Sequence, residues 1–392
     1  MRKFIFVLLL ISGISMLRAE VIKPDSIRFS LMTCAPGSEI YALFGHTAIR
    51  YENYTRKQDY VFNYGMFSFQ TPNFVMRFLM GKTDYQLGVV PYSYFEVEYA
   101  ERGSSVYQQV LNLTPEETQK LINLLDENYH PSNRIYRYNY FYDNCTTRAR
   151  DIIEEAIKGE VRYPETRQTI SYRDIIHEYT AGHEWDEFGI DLCLGAEADK
   201  PIGDREQMFA PFYMLKAARG ASIVKGDSIV PLVSEEEEVV QVVDDEMSVH
   251  FPINPLTFFT FILMLTLAMA YWSNLKGKVF WWWDILLFGA QGLGGCIIAF
   301  LFFFSVHPTV SSNWMLVVFN PIPLLYLPVM VYKALKHKKD YYHGLNAVIL
   351  TLFIILMPFL PQKFNISVLP LALSLLVCSV GHLILYKRKD YR

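Results

Sequence analysis

Charged side chains are scarce in the last third of this 392-residue chain and crowd into its first 250 positions. Before residue 250 the chain lacks His-x-x-x-His and Cys-x-x-Cys spacings, a glycine-rich phosphate loop and an internal repeat. These absences disfavour a metal centre, a nucleotide phosphate site and a repeat architecture. A net charge of −4 also disfavours nucleic-acid binding. We therefore expect no metal, no cofactor and no nucleic-acid partner.

The charge-poor region contains long apolar runs. Residues 251–275 carry no charge, and this run is long enough to cross a bilayer. Four more spans are predicted, at about 279–304, 314–332, 345–360 and 364–386. We therefore expect an all-α membrane domain of five transmembrane helices.

Basic residues set the predicted orientation of these helices. The short connections on one side, together with the C-terminus, contain Lys276, Lys278, Lys333, Lys336, Lys338, Lys339, Lys387, Arg388, Lys389 and Arg392. The connections on the other side contain only Lys363. Because Lys and Arg accumulate on the cytoplasmic side of membranes, the C-terminus is predicted inside. The region before the first span is then predicted outside.

The N-terminus supports export independently. Arg2 and Lys3 precede a short apolar core at 4–14 and small residues at 15–19, as in a secretory signal peptide, removed or kept as an anchor. A run of glutamates after Ser234 indicates a solvated acidic tether to the membrane. The predicted division is a signal peptide or anchor at 1–19, an exported domain at 20–233, an acidic linker at 234–250 and five transmembrane helices at 251–392.

The exported domain mixes short strands with helices. β-branched and aromatic residues predict strands at 27–33, 47–51, 60–64, 85–90 and 105–111. Thr114, followed by Pro115 and Glu117, is typical of a helix N-terminus, and Ser171 looks like another. A further helix is predicted at 145–158, with Asp143 or Asn144 available to cap it. Strands followed by helices indicate an α+β domain.

The exported domain contains three of the five cysteines, Cys34, Cys145 and Cys193. One thiol stays unpaired if the other two form a disulfide. A Cys34–Cys193 bridge would leave Cys145 free, but the sequence does not establish that pairing.

Two segments suggest a thiol active site. Gly45 precedes His46 at the start of a predicted strand, and Cys145 lies where a helix is predicted to begin. The N-terminal end of a helix stabilises a thiolate and offers free N–H groups to an oxyanion. A strand histidine would supply the base of a nucleophile–base pair. Asn63, on the predicted neighbouring strand, could fix the imidazole tautomer.

Each residue also has a simpler explanation. An exported cysteine is more often structural than nucleophilic, His46 can be a core histidine, and Asn63 can end a strand in a turn. The combination favours catalysis. Cys34 is the competing nucleophile, but it precedes a Pro-Gly turn, so nothing obvious lowers its pKa.

Basic and aromatic residues offer possible lipid contacts. Arg148 and Arg150 could hold a lipid phosphate, although ion pairs with Asp151 or Glu154 explain them as well. The aromatic segment 67–78 could dip into the bilayer or belong to the core.

These motifs resemble those of the Lnb-type lipoprotein N-acyltransferases of Bacteroidetes. The most specific stretch is Asp143-Asn144-Cys145-Thr146-Thr147-Arg148, and others are Phe44-Gly45-His46-Thr47-Ala48-Ile49-Arg50 and Phe62-Asn63-Tyr64-Gly65. A strand histidine ahead of a helix-start cysteine also looks like a permuted papain-like fold, of the NlpC or lecithin:retinol acyltransferase type.

The resemblance implies a reaction and its partners. An acyl chain would pass from a membrane phospholipid to the Cys145 thiol, and then to the α-amine of a diacylglyceryl lipoprotein. Cys145, His46 and Asn63 would be catalytic, and Asn144, Arg148 and Tyr64 would bind substrate. The protein would lie in the bacterial inner membrane with its N-terminal domain in the periplasm. A membrane-anchored cell-wall amidase or peptidase and a non-catalytic lipid-binding scaffold remain alternatives.

Overall fold

The computed structural model describes residues 26–166, 168–242 and 252–388. The predicted signal peptide at 1–19 and the acidic residues Asp244, Asp245 and Glu246 lie outside the described residues. The described chain comprises an N-terminal α+β domain and five apolar helices, as predicted.

An antiparallel sheet of seven strands organises the N-terminal domain, in the order β12-β5-β1-β2-β3-β4-β6. Each of the five predicted strands lies in this sheet. Its strands are β1 Ile27–Cys34, β2 His46–Asn53, β3 Gln58–Met66, β4 Asp84–Pro91, β5 Val106–Leu111, β6 Ile135–Arg137 and β12 Val233–Val240. Two small sheets contain β7 Glu160–Arg162, β10 Ser222–Lys225 and β11 Ser228–Pro231, and β8 Ile170–Ser171 and β9 Pro201–Ile202.

Helices cover both faces of the large sheet. They are α1 Phe74–Leu79, α2 Tyr92–Glu101, α3 Pro115–Tyr129, α4 Cys145–Ala156, α5 Tyr172–Thr180, α6 Glu184–Cys193, α7 Asp204–Gln207 and α8 Pro211–Gly220. Because side chains alternate across a strand, Leu31 and Ile49 face one way and Met32 and Ala48 the other. The first pair packs with α3 and α4, and the second pair packs with Phe95 of α2.

Capping explains where the predicted helices begin. Thr114 and Ser171 each close a capping box at the start of α3 and α5, as their sequences predicted. Asn144 caps α4, so that helix begins at Cys145. Satisfying the free N–H groups of the first turn fixes each start.

The predicted start of the acidic linker, residue 234, is too early in the chain. Residues up to Val240 form strand β12, which pairs with β5 at an edge of the large sheet. An edge strand needs partners on one side only, and three of its four glutamates lie exposed, as is common where charge protects a sheet edge. Glu236 is anchored by Arg219 and by Gln109, whose amide nitrogen lies 2.8 Å from the carboxylate.

The membrane region contains α9 Pro255–Lys276, α10 Trp281–Phe304, α11 Ile322–Leu335, α12 Tyr342–Leu356 and α13 Val368–Leu385. The third span, Trp314–Leu335, starts with a 3-10 turn at Trp314–Val317, so only its second part is α-helix. A Cβ at Gly292 or Gly295 would lie 2.4 Å from Leu324 or 2.3 Å from Asn320. Glycine therefore permits this close approach of α10 to the segment that starts α11.

Polar contacts fasten the N-terminal domain to two membrane loops. The Lys363 ammonium lies 2.5 Å from a carboxylate oxygen of Asp174. The Asn313 amide donates to the carbonyl oxygen of Leu192 at 2.7 Å, and His307 contacts the carbonyl oxygen of Phe78 at 2.6 Å. Lys363, Asn313 and His307 belong to the loops predicted outside the membrane. The contacts therefore place the domain and these loops on the same side.

Candidate active site

The N-terminus of α4 holds the candidate nucleophile. The Asn144 side-chain oxygen accepts hydrogen bonds from the N–H groups of Thr146 and Thr147, both at 2.9 Å. The Asn144 amide nitrogen donates to the carbonyl oxygens of Tyr140 and Phe209 at 2.8 and 2.9 Å. Because four hydrogen bonds fix the cap, the Cys145 thiol is held in the first turn of the helix.

A glycine positions the candidate base. His46 is the first residue of β2, and Gly45 before it has a φ of 73°. A Cβ at Gly45 would lie 2.4 Å from the Cys34 carbonyl oxygen. Only glycine therefore fits this turn without strain, and the turn sets the direction from which His46 enters the sheet.

The structure brings Cys145, His46 and Asn63 together. The His46 Nε2 atom lies 3.2 Å from Oδ1 of Asn63, and the imidazole lies close enough to the Cys145 thiol that each group shifts the pKa of the other. Since Asn63 occupies Nε2, Nδ1 is the ring nitrogen left for the sulfur. The Cys145 sulfur also lies 3.8 Å from the Thr146 hydroxyl. The Thr47 hydroxyl, 3.0 Å from that of Thr146, ties β2 to α4.

The pKa values of Cys145 and His46 shift in the directions that favour an ion pair between them. Burial by itself raises the pKa of the Cys145 thiol, but the charge and hydrogen bond of His46 and the Thr47 N–H outweigh burial and lower it. Burial by itself lowers the pKa of His46, but the Cys145 thiolate and the hydrogen bonds to Cys145 and Asn63 raise it. The arrangement therefore favours thiolate and imidazolium, the reactive state of a cysteine nucleophile.

An oxyanion donor is also available. Within the described residues, the Cys145 backbone N–H donates to no protein acceptor, whereas the N–H groups of Thr146 and Thr147 are bound by the cap. An N–H at a helix start, next to the thiol, suits the negative oxygen of a tetrahedral intermediate.

The other exported cysteines differ from Cys145. All five cysteines lie in the described residues and are free thiols, so there is no Cys34–Cys193 disulfide. Burial raises the pKa of the Cys34 thiol, and burial raises the pKa of Cys193 to about 11. A hydrogen bond with Tyr99 and the charge of Arg102 act to lower the pKa of Cys34 but do not outweigh burial, so its thiol is less easily ionised than that of Cys145.

The side chains of the residues predicted to bind substrate are already engaged in contacts within the protein. Tyr64 is 1% exposed and belongs to the core, and the Asn144 amide is used fully by the cap. Arg148 binds the Asp143 carboxylate through two nitrogens, at 2.6 and 2.8 Å, and lies 3.5 Å over the ring of Tyr136. Burial and existing hydrogen bonds therefore leave these side chains to shape the site.

Arg150, which was considered as a ligand for a lipid phosphate, instead forms an ion pair with Asp151 at 2.8 Å. Thr47 could not be predicted from the sequence, because it acts on the thiol pKa through its backbone N–H, which every residue type except proline has. Tyr138 could not be predicted either, because it contacts the site through the tertiary fold.

An aromatic ridge joins the site to the membrane loops. Tyr138, beside Cys145, stacks on Tyr85 with ring centroids 4.1 Å apart, and Tyr85 contacts Phe67 at 5.1 Å. From Phe67 the ring contacts continue to Phe74 at 5.7 Å, to Phe78 at 6.1 Å and to His307 at 5.6 Å. We call Phe67, Phe69, Phe74 and Phe78 the aromatic ridge. Phe69 and Phe78 are 64% and 47% exposed, so the ridge is partly core and partly surface.

Comparison with protein families identifies both parts of the chain. Residues 17–178 match the model of the Lnb N-terminal periplasmic domain, and residues 245–390 match that of the Lnb transmembrane domain. Neither the curated proteins nor the solved structures contain a match to this chain.

Proposed function

Because the chain belongs to the Lnb family, with a periplasmic N-terminal domain and a five-helix membrane region, we propose that it is a lipoprotein N-acyltransferase. The observation that carries the proposal is the alignment of Cys145, His46 and Asn63 at the start of α4, on a domain fastened to the membrane helices. The strand histidine ahead of the helix-start cysteine supports assignment to a permuted papain-like fold.

The first half-reaction forms a thioester. The Cys145 thiolate attacks the ester carbonyl carbon of a phospholipid acyl chain, and the Cys145 N–H stabilises the resulting oxyanion. The tetrahedral intermediate collapses as the ester C–O bond breaks. His46, as imidazolium, gives its proton to the departing alkoxide, which leaves as a lysophospholipid. Asn63 accepts from Nε2–H and keeps Nδ1 directed at the reacting atoms.

The second half-reaction transfers the acyl chain to an amine. The α-amine of a diacylglyceryl-cysteine attacks the thioester carbonyl, and neutral His46 takes the proton that the amine loses. The C–S bond then breaks, and the amide product and the Cys145 thiolate are formed. Replacing a thioester by an amide is downhill, so no further energy source is needed.

The surroundings of the site support lipid substrates. The aromatic ridge leads from the ring of Tyr85 near the thiol to His307 in a membrane loop, and two of its side chains, Phe69 and Phe78, are exposed. An exposed apolar surface suits acyl chains better than it suits a cell-wall glycopeptide. We assign the ridge as the surface along which the donor chain reaches Cys145.

The test uses the purified full chain in vesicles that contain phospholipids with labelled acyl chains. A diacylglyceryl lipopeptide with a free α-amine serves as acceptor. The expected products are a labelled N-acyl lipopeptide and lysophospholipid. When the acceptor is omitted, the label should remain on the Cys145 peptide and be released by hydroxylamine.

Two results would contradict the proposal. Cleavage of a cell-wall peptide without acylation of the lipopeptide would favour the amidase alternative. A protein that binds labelled lipid, leaves Cys145 unlabelled and neither acylates the lipopeptide nor cleaves the cell-wall peptide would favour the scaffold alternative.

A further inference from the structure

We propose that Asp284, Cys378 and His382 form a zinc site inside the membrane region, near its cytoplasmic end. Asp284 lies in the first turn of α10, and Cys378 and His382 lie one turn apart near the end of α13. The opposite end of α10 leads into the loop that contacts the periplasmic domain. The cluster is therefore separated from Cys145 by the thickness of the membrane, and it is independent of the proposed acyl transfer.

The three side chains converge on one point. The Asp284 Oδ1 atom lies 3.2 Å from the Cys378 sulfur and 3.1 Å from the His382 Nε2. The three potential ligand atoms all lie within 4.8 Å of one another. Tetrahedral zinc, with bonds of about 2.0 Å to O and N and 2.3 Å to S, requires ligand separations of roughly 3.3 to 3.5 Å. Small side-chain movements bring the cluster to that geometry.

Two further observations point to a bound ion. Asp284 is 2% exposed, and its second oxygen, Oδ2, has no hydrogen-bond partner among the described residues. The three side chains also line a cavity of about 20 Å³, which is larger than the minimum volume for a water-sized occupant. A buried carboxylate with an unpartnered oxygen, facing a small cavity, is costly unless a cation is near.

The donor set and its charge suit zinc. Cysteine sulfur, imidazole nitrogen and carboxylate oxygen are all zinc ligands, and a Zn²⁺ ion with one thiolate and one carboxylate has no net charge. Neutrality matters because an uncompensated charge inside a membrane is expensive. The His382 Nδ1 atom lies 3.2 Å from the Tyr386 hydroxyl, the outer hydrogen bond that usually orients a metal-binding imidazole. The cytoplasmic side is reducing, so Cys378 stays available as a thiol.

A catalytic triad does not fit this cluster. In a triad the imidazole lies between nucleophile and carboxylate, whereas here both the thiol and the imidazole contact the same Asp284 oxygen. The second cluster of potential ligands, His177, Glu187 and Asp191, is already neutralised. Buried Arg173 binds Asp191 at 2.6 Å, so that cluster carries no metal proposal.

The experiment measures metal in the full chain, purified in detergent under reducing conditions with a tag that contains no histidine. After stripping and addition of equimolar zinc, mass spectrometry of the metal should find about one zinc per chain. Cobalt in place of zinc should give the near-ultraviolet absorption of a thiolate-to-cobalt bond. Both signals should be lost in Cys378→Ala and in His382→Gln. They should persist in Cys296→Ala, which removes an exposed cysteine of α10.

Gel filtration checks that each variant is folded. If a variant fails to fold, the zinc content and cobalt spectrum of the wild-type chain still test the proposed site. A wild-type chain that binds no zinc and shows no cobalt–thiolate absorption overturns the site. Full zinc content in folded Cys378→Ala also overturns it, because the metal then lies elsewhere.

Discussion

Two thiols of the same domain, Cys34 and Cys145, lie close to the same histidine and differ in chemistry. Cys34 ends β1, directly opposite His46 in the register of β1 and β2, and is fully buried. Cys145 begins α4, is partly exposed and lies close enough to the imidazole that His46 lowers its pKa. Burial raises the pKa of Cys34, whereas His46 and the Thr47 N–H lower that of Cys145.

The comparison shows that a cysteine can lie close to His46 without having its pKa lowered. Its place opposite His46 in the sheet does not lower the pKa of Cys34, but Cys34 provides the carbonyl oxygen around which Gly45 turns. Cys145, at a helix start, presents its sulfur to the imidazole together with its own backbone N–H. Cys34 therefore acts as part of the scaffold that places His46, and Cys145 uses the histidine so placed.

Removing the reactive thiol should produce the largest effect. We expect Cys145→Ser to lower the rate of acyl transfer by more than roughly 10⁴-fold, as loss of a nucleophile does in other enzymes. Cys193→Ser is the matched control and should keep the wild-type rate. The rates are measured with the vesicle assay described above. Substantial transfer by Cys145→Ser would exclude the thioester route.

Removing the His46 imidazole should remove most of the difference in pKa between the Cys145 and Cys34 thiols. We expect His46→Gln to lower acyl transfer by about 10² to 10⁴-fold, because it deletes the acid and base. The pKa of Cys145 should rise when the charge and hydrogen bond of His46 are lost. Wild-type Cys145 is thiolate above its lowered pKa and loses reactivity as the pH falls through that value.

The pH dependence of iodoacetamide modification at Cys145, followed by peptide mass spectrometry, measures this shift. Its midpoint should move to higher pH in His46→Gln. His130→Gln, at an exposed histidine, should leave the midpoint unchanged. An unchanged midpoint in His46→Gln would mean that the helix start alone sets the thiol pKa.

Removing the cap tests the helix start separately from the histidine. Asn144→Ala should cost about 1 kcal/mol of stability, the usual effect of losing an N-cap. It should also slow transfer by about ten- to a hundredfold, because the thiol is then poorly placed. Thr114→Ala is the matched control, since it removes the cap of α3, far along the chain from the thiol. Equal rates in both variants, at equal stability loss by chemical unfolding, would contradict a positioning role for Asn144.

The smallest effect is expected at the scaffold thiol. Cys34→Ala should cost about 1 kcal/mol, because it removes one buried atom from a packed core. Transfer should remain within about threefold of wild type, since the backbone carbonyl at this position is retained. Unfolding by denaturant and the vesicle assay measure the two quantities. A large loss of transfer in the folded variant would place the Cys34 side chain in the mechanism.

Local patterns in the sequence predicted much of this domain. The capping boxes at Thr114 and Ser171 and the strand starting near Ile27 depend on neighbouring residues, so they can be recognised without a fold. The pairing of Cys145 with His46 was predicted because both residue types sit at recognisable element starts.

Long-range contacts could not be predicted in the same way. The run after Ser234 is acidic enough to suggest a tether, but a vacant edge of the sheet accepts it as a strand. Asp143 lies only five residues before Arg148, yet their ion pair depends on the turn that caps α4. The Asp284 cluster joins residues more than 90 positions apart in the sequence, and an isolated Asp in an apolar run predicts no partner.

The ion pair between Lys363 and Asp174 also bears on how the chain is threaded through the bilayer. Lys363 is the one basic residue that departs from the charge bias of the loops, and its partner Asp174 belongs to the exported domain. The two residues can meet only when the last periplasmic loop and that domain have been delivered to the same compartment. A chain in which one of the first four membrane helices fails to cross the bilayer would leave the two charges on opposite sides. The ion pair therefore forms in molecules whose first four helices all cross the bilayer, and a single missed crossing prevents it.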